Sequence, residues 1–323
     1  MDIYIKEAII HQFSPQSLDL QFSKEPLELS PRIDEYLRKK IEKVYSEDAK
    51  KGAFDSENTF FSHIQDDLME SSRTISTLWL EAFKEAENQK MNDLIFVGFE
   101  KEGQSHFAFL RLVLRDSLTD LGQEENRIQL TQNHLPGFGA SPDEGLVVNR
   151  VTGQYFLLEK RIKAQGSFLH YFSEKLLEVE LAPSPKKSIQ TMEKAAQKIA
   201  ESFQADDFQF QSKLKSSLHK NLEEKQELRP EDIANDLFQD NLTARLTFID
   251  QMKEEVPETI QFQEIDSQRQ LKRLENQKLS LSNGIQLIVP NPVYEDAESV
   301  EFIMNEDGTY SILIKNVDTI ESL

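Results

Sequence analysis

The chain has 323 residues, with 37 Lys and Arg against 57 Asp and Glu, for a formal net charge of −20. A uniformly acidic surface repels phosphate backbones, so any nucleic-acid contact has to come from local basic patches. Cysteine is absent, which excludes a disulfide framework, thiol catalysis and thiolate metal sites and fits a reducing compartment.

At this length two domains are expected. The N-terminal MDIYIKEAIIHQF carries Asp2 and Glu7 and has no apolar signal-peptide run, and the longest apolar stretches fall short of a membrane span. The reading is of a cytoplasmic protein with no membrane segment.

Residues 3–22 alternate apolar and polar around Ser14-Pro15-Gln16-Ser17, the pattern of a hairpin. Ser30-Pro31 is a helix-start signal, and Ile33, Tyr36, Leu37, Ile41 and Val44 then recur at helical spacing. Two helices are expected over 57–90, the second holding the single Trp, Trp79. The most strand-like stretch is 93–116. Two apolar runs, Leu94–Phe99 and Phe107–Leu114, flank a polar break with Gly103, as in a buried hairpin. Arg127–Leu130 alternates like a further strand, and 133–145 concentrates Gly and Pro as a loop. Leu146–Val148 and Tyr155–Leu158 read as a hairpin around Thr152-Gly153, and Phe168–Val179 as a helix.

Two prolines in Leu181-Ala182-Pro183-Ser184-Pro185 block helix continuation and place a boundary there. Helices are expected over 188–203, 210–226, from Pro230, over 240–255 and over 264–276. Four β segments close the chain, with Asn283-Gly284 and Asp307-Gly308 as two-residue hairpin turns. The fold class is therefore α+β. An N-terminal α+β domain with a mixed sheet spans 1–182. A C-terminal helical domain ending in a small antiparallel sheet spans 183–323.

Motifs for catalysis are missing. Gly137 and Gly139 fit neither a P-loop nor a dinucleotide fingerprint, and no Gly-x-Ser-x-Gly elbow occurs. His11, His63, His106, His134, His170 and His219 lie far apart without metal-ligand spacing. The expectation is a non-enzyme without cofactor or metal. The informative residues are those that run against the overall charge. Arg38, Lys39, Lys40 and Lys43 gather in the last turns of the first helix, and Lys50 and Lys51 follow. Such cations complement a helix dipole, and they can also contact phosphate. Lys160, Arg161 and Lys163 could extend the surface. Lys186, Lys187, Lys194 and Lys198, and then Lys213, Lys215, His219 and Lys220, make further basic faces. Residues 291–323 hold eight acidic residues and one Lys.

The segment Val44-Tyr45-Ser46, followed by Lys, Gly and Phe up to Phe54 behind an amphipathic helix, resembles the bacterial 37 kDa nucleoid-associated protein family. The opening strand with His11, the Phe96-Val97-Gly98-Phe99 hairpin, Tyr155–Arg161 with its Phe-containing continuation, and Tyr310–Asn316 resemble that family in the same order. The resemblance implies nucleoid association and DNA binding, and brings no catalytic residues with it. The nucleic-acid-binding candidates are thus Arg38, Lys39, Lys40, Lys43, Lys50, Lys51, Arg161 and Lys163. Their partner would be double-stranded DNA held weakly and without sequence preference. The alternative is an acidic adaptor that reaches the nucleoid through a DNA-processing protein. A homodimer fits either reading.

Overall fold

The computed structural model describes residues 2–120, 122, 128–203, 207–262 and 264–319. Contacts divide the chain into two units, Met1–Ser184 and Pro185–Leu323.

In the first unit β1 (Ile3–Ser14) pairs with β2 (Asp19–Gln21). A bulge between Ile5 and Glu7 shifts the β1 register by one residue. One extra residue exchanges the two faces of a strand. Ile3 and Ile5 accordingly share a core with Ala8, whereas Ile9 and Phe13 enter the opposite one. Helix α1 (Pro31–Val44) starts where Ser30 Oγ accepts the Ile33 N–H, and Pro31 supplies a preset φ. It buries Leu37, Ile41 and Val44 against the sheet. Strand β3 (Lys50–Ala53) follows. A Cβ on Gly52 would stand 2.3 Å from the Tyr155 hydroxyl, so only glycine allows this close approach.

Two helices come next, α2 (Thr59–Ser62), capped by Asn58, and α3 (Leu68–Phe83), capped by Asp67. The expected central hairpin is β4 (Asn92–Lys101) and β5 (Gln104–Val113). Glu102 and Gly103 both take positive φ, the requirement of a two-residue type I′ turn. β6 (Arg115–Asp120) and β7 (Ile128–His134) form a separate ribbon. Arg127 of the strand expected there lies outside the described residues. β8 (Glu144–Asn149) is buried throughout, and β9 (Gln154–Leu158) returns alongside it.

The segment 168–179 departs from its expected helix. β10 (Ile162–Ala164) and β11 (Ser167–Leu169) make a hairpin through Gln165 and Gly166, both at positive φ. Only Phe172–Leu177 is helical, as one π-helical turn. The Gly166 turn captures the first part of the segment before helix can form.

The seven-stranded sheet has the order β2-β1-β4-β5-β8-β9-β3. The α+β class is as expected, but every pairing is antiparallel, so the sheet is not mixed. Helix α3 and the π-helix cover one face through Trp79, Phe83, Phe96, Phe109 and Phe172. Helix α1 covers the other through Leu37, Ile41, Val97 and Leu110.

In the second unit α4 (Pro185–Ser202), α5 (Asp207–Lys225), α6 (Pro230–Leu237) and α7 (Leu242–Glu255) enclose a core that includes Met192, Leu218, Ile233 and Phe248. The short strands β12 (Glu227–Leu228) and β13 (Ile260–Gln261) pair between them. Helix α8 (Glu264–Leu274) leads into the ribbon β14 (Asn276–Ser280) and β15 (Gln286–Pro290). Helix α9 (Asn291–Glu295) precedes a second ribbon, β16 (Val300–Met304) and β17 (Tyr310–Ile314). Both ribbon turns are one residue longer than the two-residue turns expected. Leu281 pairs with Ile285, and Asn305 with Thr309, around three-residue loops in which Gly284 and Gly308 alone supply positive φ.

Candidate functional site

The cations that the sequence groups together end on two sides of the first unit's sheet. On the α1 side, Lys39 and Lys43 lie one turn apart on the outer surface of the helix. Lys39 is exposed and Lys43 half-buried, and neither has an ion-pair partner among the described residues. Arg38 forms an i,i+4 ion pair with Asp34. Lys51 reaches over the Phe156 ring at 5.5 Å. That ring packs 4.8 Å from Tyr45, and Lys101, paired with Glu102 at 2.9 Å, approaches Tyr45 at 5.4 Å. Two cations thus approach an aromatic pair at the end of α1.

Lys40 departs from its expected place. It has no exposed surface. Its Nζ donates to the Gly137 and Ala140 carbonyls at 2.7 and 2.6 Å, and it lies 4.8 Å from the Tyr36 ring. Burial, with Lys43 and Arg115 nearby, lowers its pKa from 10.5 to about 8, against an opposing pull from Asp143. A phosphate cannot reach it. The pattern that reveals this was in the sequence: Leu37, Lys40, Ile41 and Val44 form an i, i+3, i+4, i+7 stripe, so Lys40 occupies a core-facing position.

The same contacts decide the Gly-rich loop. Besides the two carbonyls on Lys40, the Pro136 carbonyl accepts the Tyr36 hydroxyl at 2.8 Å. Phe138 packs on Tyr36, with Arg32 over its ring. A phosphate cradle needs convergent backbone N–H groups. This loop turns carbonyl oxygens inward onto an ammonium, the opposite polarity.

The remaining candidates lie on the other face. Successive strand residues point to opposite sides. Lys51 therefore lies beside Phe156 on the α1 side, while Lys50 pairs across from Leu157 on the α3 side. Lys50 Nζ is held at 2.8 Å by Glu159, whose side chain is fully buried and also accepts the Ser173 N–H and hydroxyl. Lys163 pairs with Glu87 at 3.1 Å. Arg161 is exposed and lies 5.9 Å from the Phe168 ring. Of the eight candidates, Arg38, Lys39, Lys43 and Lys51 stay together. Lys50 and Lys163, each paired with a glutamate, and the exposed Arg161 lie apart from them.

Two further cations, Arg111 and Arg115, stand in and just after β5. Arg111 is buried, 4.9 Å from the Phe83 ring and paired through Nε and Nη2 with Glu144. Glu144 also accepts the Tyr171 hydroxyl at 2.7 Å, and Tyr171 accepts the Trp79 N–H at 2.9 Å. Burial alone would lower the pKa of the Arg111 guanidinium, but Glu144 and Tyr171 raise it. Burial and Glu144 hold the Tyr171 phenol well above its ordinary value. Neither group is a proton donor at neutral pH. The network is a structural brace under α3, and Arg115 alone remains exposed.

Among the described residues no group of three His, Cys, Asp or Glu is placed to hold a metal ion. No helix among them is long and apolar enough to cross a membrane. The family model described as NA37, nucleoid-associated protein YejK, matches residues 9–321. Comparison with curated proteins finds no match.

Proposed function

The chain belongs to the nucleoid-associated NA37 family, and from that membership we propose a non-catalytic, cytoplasmic protein that touches double-stranded DNA weakly through the α1 side of its first unit. The observation that carries the proposal is the pair of lysines on α1. In a chain of net charge −20, Lys39 and Lys43 keep ammonium groups uncommitted to any carboxylate among the described residues. Lys51 and Arg115 lie toward the same side, and Arg38 shares its charge there with Asp34. Lys40 and Lys50 are left out because buried carbonyls and Glu159 already hold their charges.

Contacts of this kind read charge and not bases, so binding carries no sequence preference and weakens steeply with salt. Fluorescence anisotropy with a labelled duplex at low salt tests the reading. Binding that Lys39→Glu/Lys43→Glu reduces is expected, and an intact chain that leaves the duplex free rules it out.

A specific observation favours a second reading, that of an adaptor. One face of the β16–β17 ribbon exposes Met304, Tyr310 and Ile314 within the acidic 291–323 segment. An apolar strip inside an acidic surface suits a basic protein partner such as a DNA-processing enzyme. Under that reading, nucleoid localisation survives charge reversal on α1 and is lost when the ribbon's apolar residues become polar.

A further inference from the structure

Within the second unit, α4, α5, the end of α8, β14 and β17 surround a groove of about 1130 Å³. Lys194, Lys198, Lys215, Arg273 and Lys278 line it, against the two carboxylates of Glu193 and Glu201. This excess of cations stands out in a chain with 57 acidic residues. Lys194 and Lys198 are exposed and one helical turn apart, about 6 Å along α4. Lys278 faces them from β14, exposed in its turn. None of these three has an ion-pair partner among the described residues. Arg273 meets Glu193 only at 3.8 Å. Lys215 donates to the Asn276 carbonyl at 2.7 Å, which fixes its head at the wall of the groove.

The cations crowd one another. Burial lowers the Lys215 pKa first, and Lys278 and Arg273 push it down further. Like charges that converge this closely are unfavourable without a counter-charge, so an incoming anion relieves a repulsion already present.

We infer that this groove is a second nucleic-acid contact site, which takes the phosphate backbone between the α4 lysines and β14. The inference rests on the DNA-binding reading above and assigns it a site in the other unit. A phosphate strand is favoured over an acidic peptide by the other lining groups. Gln197 and Gln211 on the wall, hydrogen-bonded to one another and to Glu201, are polar side chains of the kind that accompany Lys and Arg at phosphates. A peptide groove would instead need an open apolar anchor pocket; Leu214 and Leu274 on the wall are buried, and the exposed Tyr310 ring stands on the ribbon without such a pocket around it.

The test measures duplex binding by the full chain as wild type, as Lys194→Glu/Lys198→Glu, as the milder Lys194→Gln/Lys198→Gln, and as Lys39→Glu/Lys43→Glu. Unchanged far-UV circular dichroism and melting temperature verify that the exposed substitutions leave the fold intact. The expected result is at least a ~10-fold loss of affinity at low salt for the Glu pair. The Gln pair should show a smaller loss, with the log–log salt slope reduced by about 2. A Glu pair that binds like wild type, while the α1 pair is weakened, overturns the groove and leaves the DNA reading standing. Wild type that binds no duplex overturns both. Wild type that binds poly-glutamate, but no duplex at the same ionic strength, makes the groove an acidic-peptide site and overturns the inference.

Discussion

Lys39 and Lys40 are neighbours in sequence, and about 100° of helix rotation gives them opposite fates. One is free in solvent and the other serves as an internal donor. Arg111 shows the same limit of local reading. Its partner Glu144 is 33 residues away and is found only when β5 pairs with β8. Replacing one member of a buried pair strands the other's charge at about 3–5 kcal/mol. Arg111→Met is thus expected to destabilise the first unit by that order in urea unfolding, and Arg111→Met/Glu144→Gln, which removes the stranded charge but keeps an acceptor for Tyr171, to recover much of it. A double variant no more stable than the single would show that the pair is not the cause. His11 adds a pH-dependent prediction. Its ring is fully buried, Nδ1 accepts the Ser23 N–H at 3.1 Å, and Nε2–H therefore donates to Ser72 Oγ at 2.9 Å. Burial lowers its pKa to about 4, with Arg73 adding to the effect and the Ile10 backbone opposing it. Between pH ~6.5 and about 4 the unfolded chain holds a proton on this residue that the folded chain does not, so stability falls as pH falls through that window. Unfolding midpoints measured from pH 7 to 4.5 should drop for wild type, and less steeply for His11→Asn.

At the scale of elements, periodicity foretold what is periodic. The central hairpin, α1 and the α3 stripe around Trp79 follow from apolar spacing and caps, because burial of one face dominates their energetics. Where a turn decides, spacing misleads. The positive φ at Gln165 and Gly166 converts the start of an expected helix into a hairpin, and three-residue loops replace two-residue turns at Gly284 and Gly308. The bulge in β1 moves Ile5 and Ile9 to opposite cores, which simple alternation along 3–13 would not show. The candidate site was legible to the extent that it lies on one element. Arg38, Lys39 and Lys43 come from a single helix, while the approach of Lys51 and Lys101 to Phe156 and Tyr45 needs α1, β3, β4 and β9 together. The Gly-rich loop is the element most dependent on one side chain. Lys40→Met leaves the Ala140 carbonyl without its donor and the Gly137 carbonyl with the Ala140 N–H alone, at a cost of about 1–3 kcal/mol. Faster amide exchange and proteolysis are expected confined to 136–143, with β4 and β5 unchanged. Uniform loss of protection across the sheet would mean that Lys40 supports the whole unit.

For the whole molecule, net charge and binding have to be reconciled. At −20 the chain as a whole repels DNA, so long-range steering works against association and only short-range contacts favour it. Ionic strength separates these contributions, because each phosphate contact adds about −0.9 to the slope of log affinity against log salt. If Lys39 and Lys43 are the only contacts, the slope is about −1.8, and raising salt from 50 to 200 mM weakens binding about 12-fold. If Lys194, Lys198 and Lys278 meet the same duplex, the slope nears about −4.5 and the loss about 500-fold. Titrating the intact chain against one duplex across that range therefore counts the sites directly. A slope that stays the same in Lys194→Gln/Lys198→Gln and falls in Lys39→Glu/Lys43→Glu restricts the interface to α1. A steep one that becomes shallow in Lys194→Gln/Lys198→Gln requires both units on the DNA. Added salt also screens the repulsion between the acidic chain and the duplex, which flattens the measured slope, so a steep value is the more demanding observation.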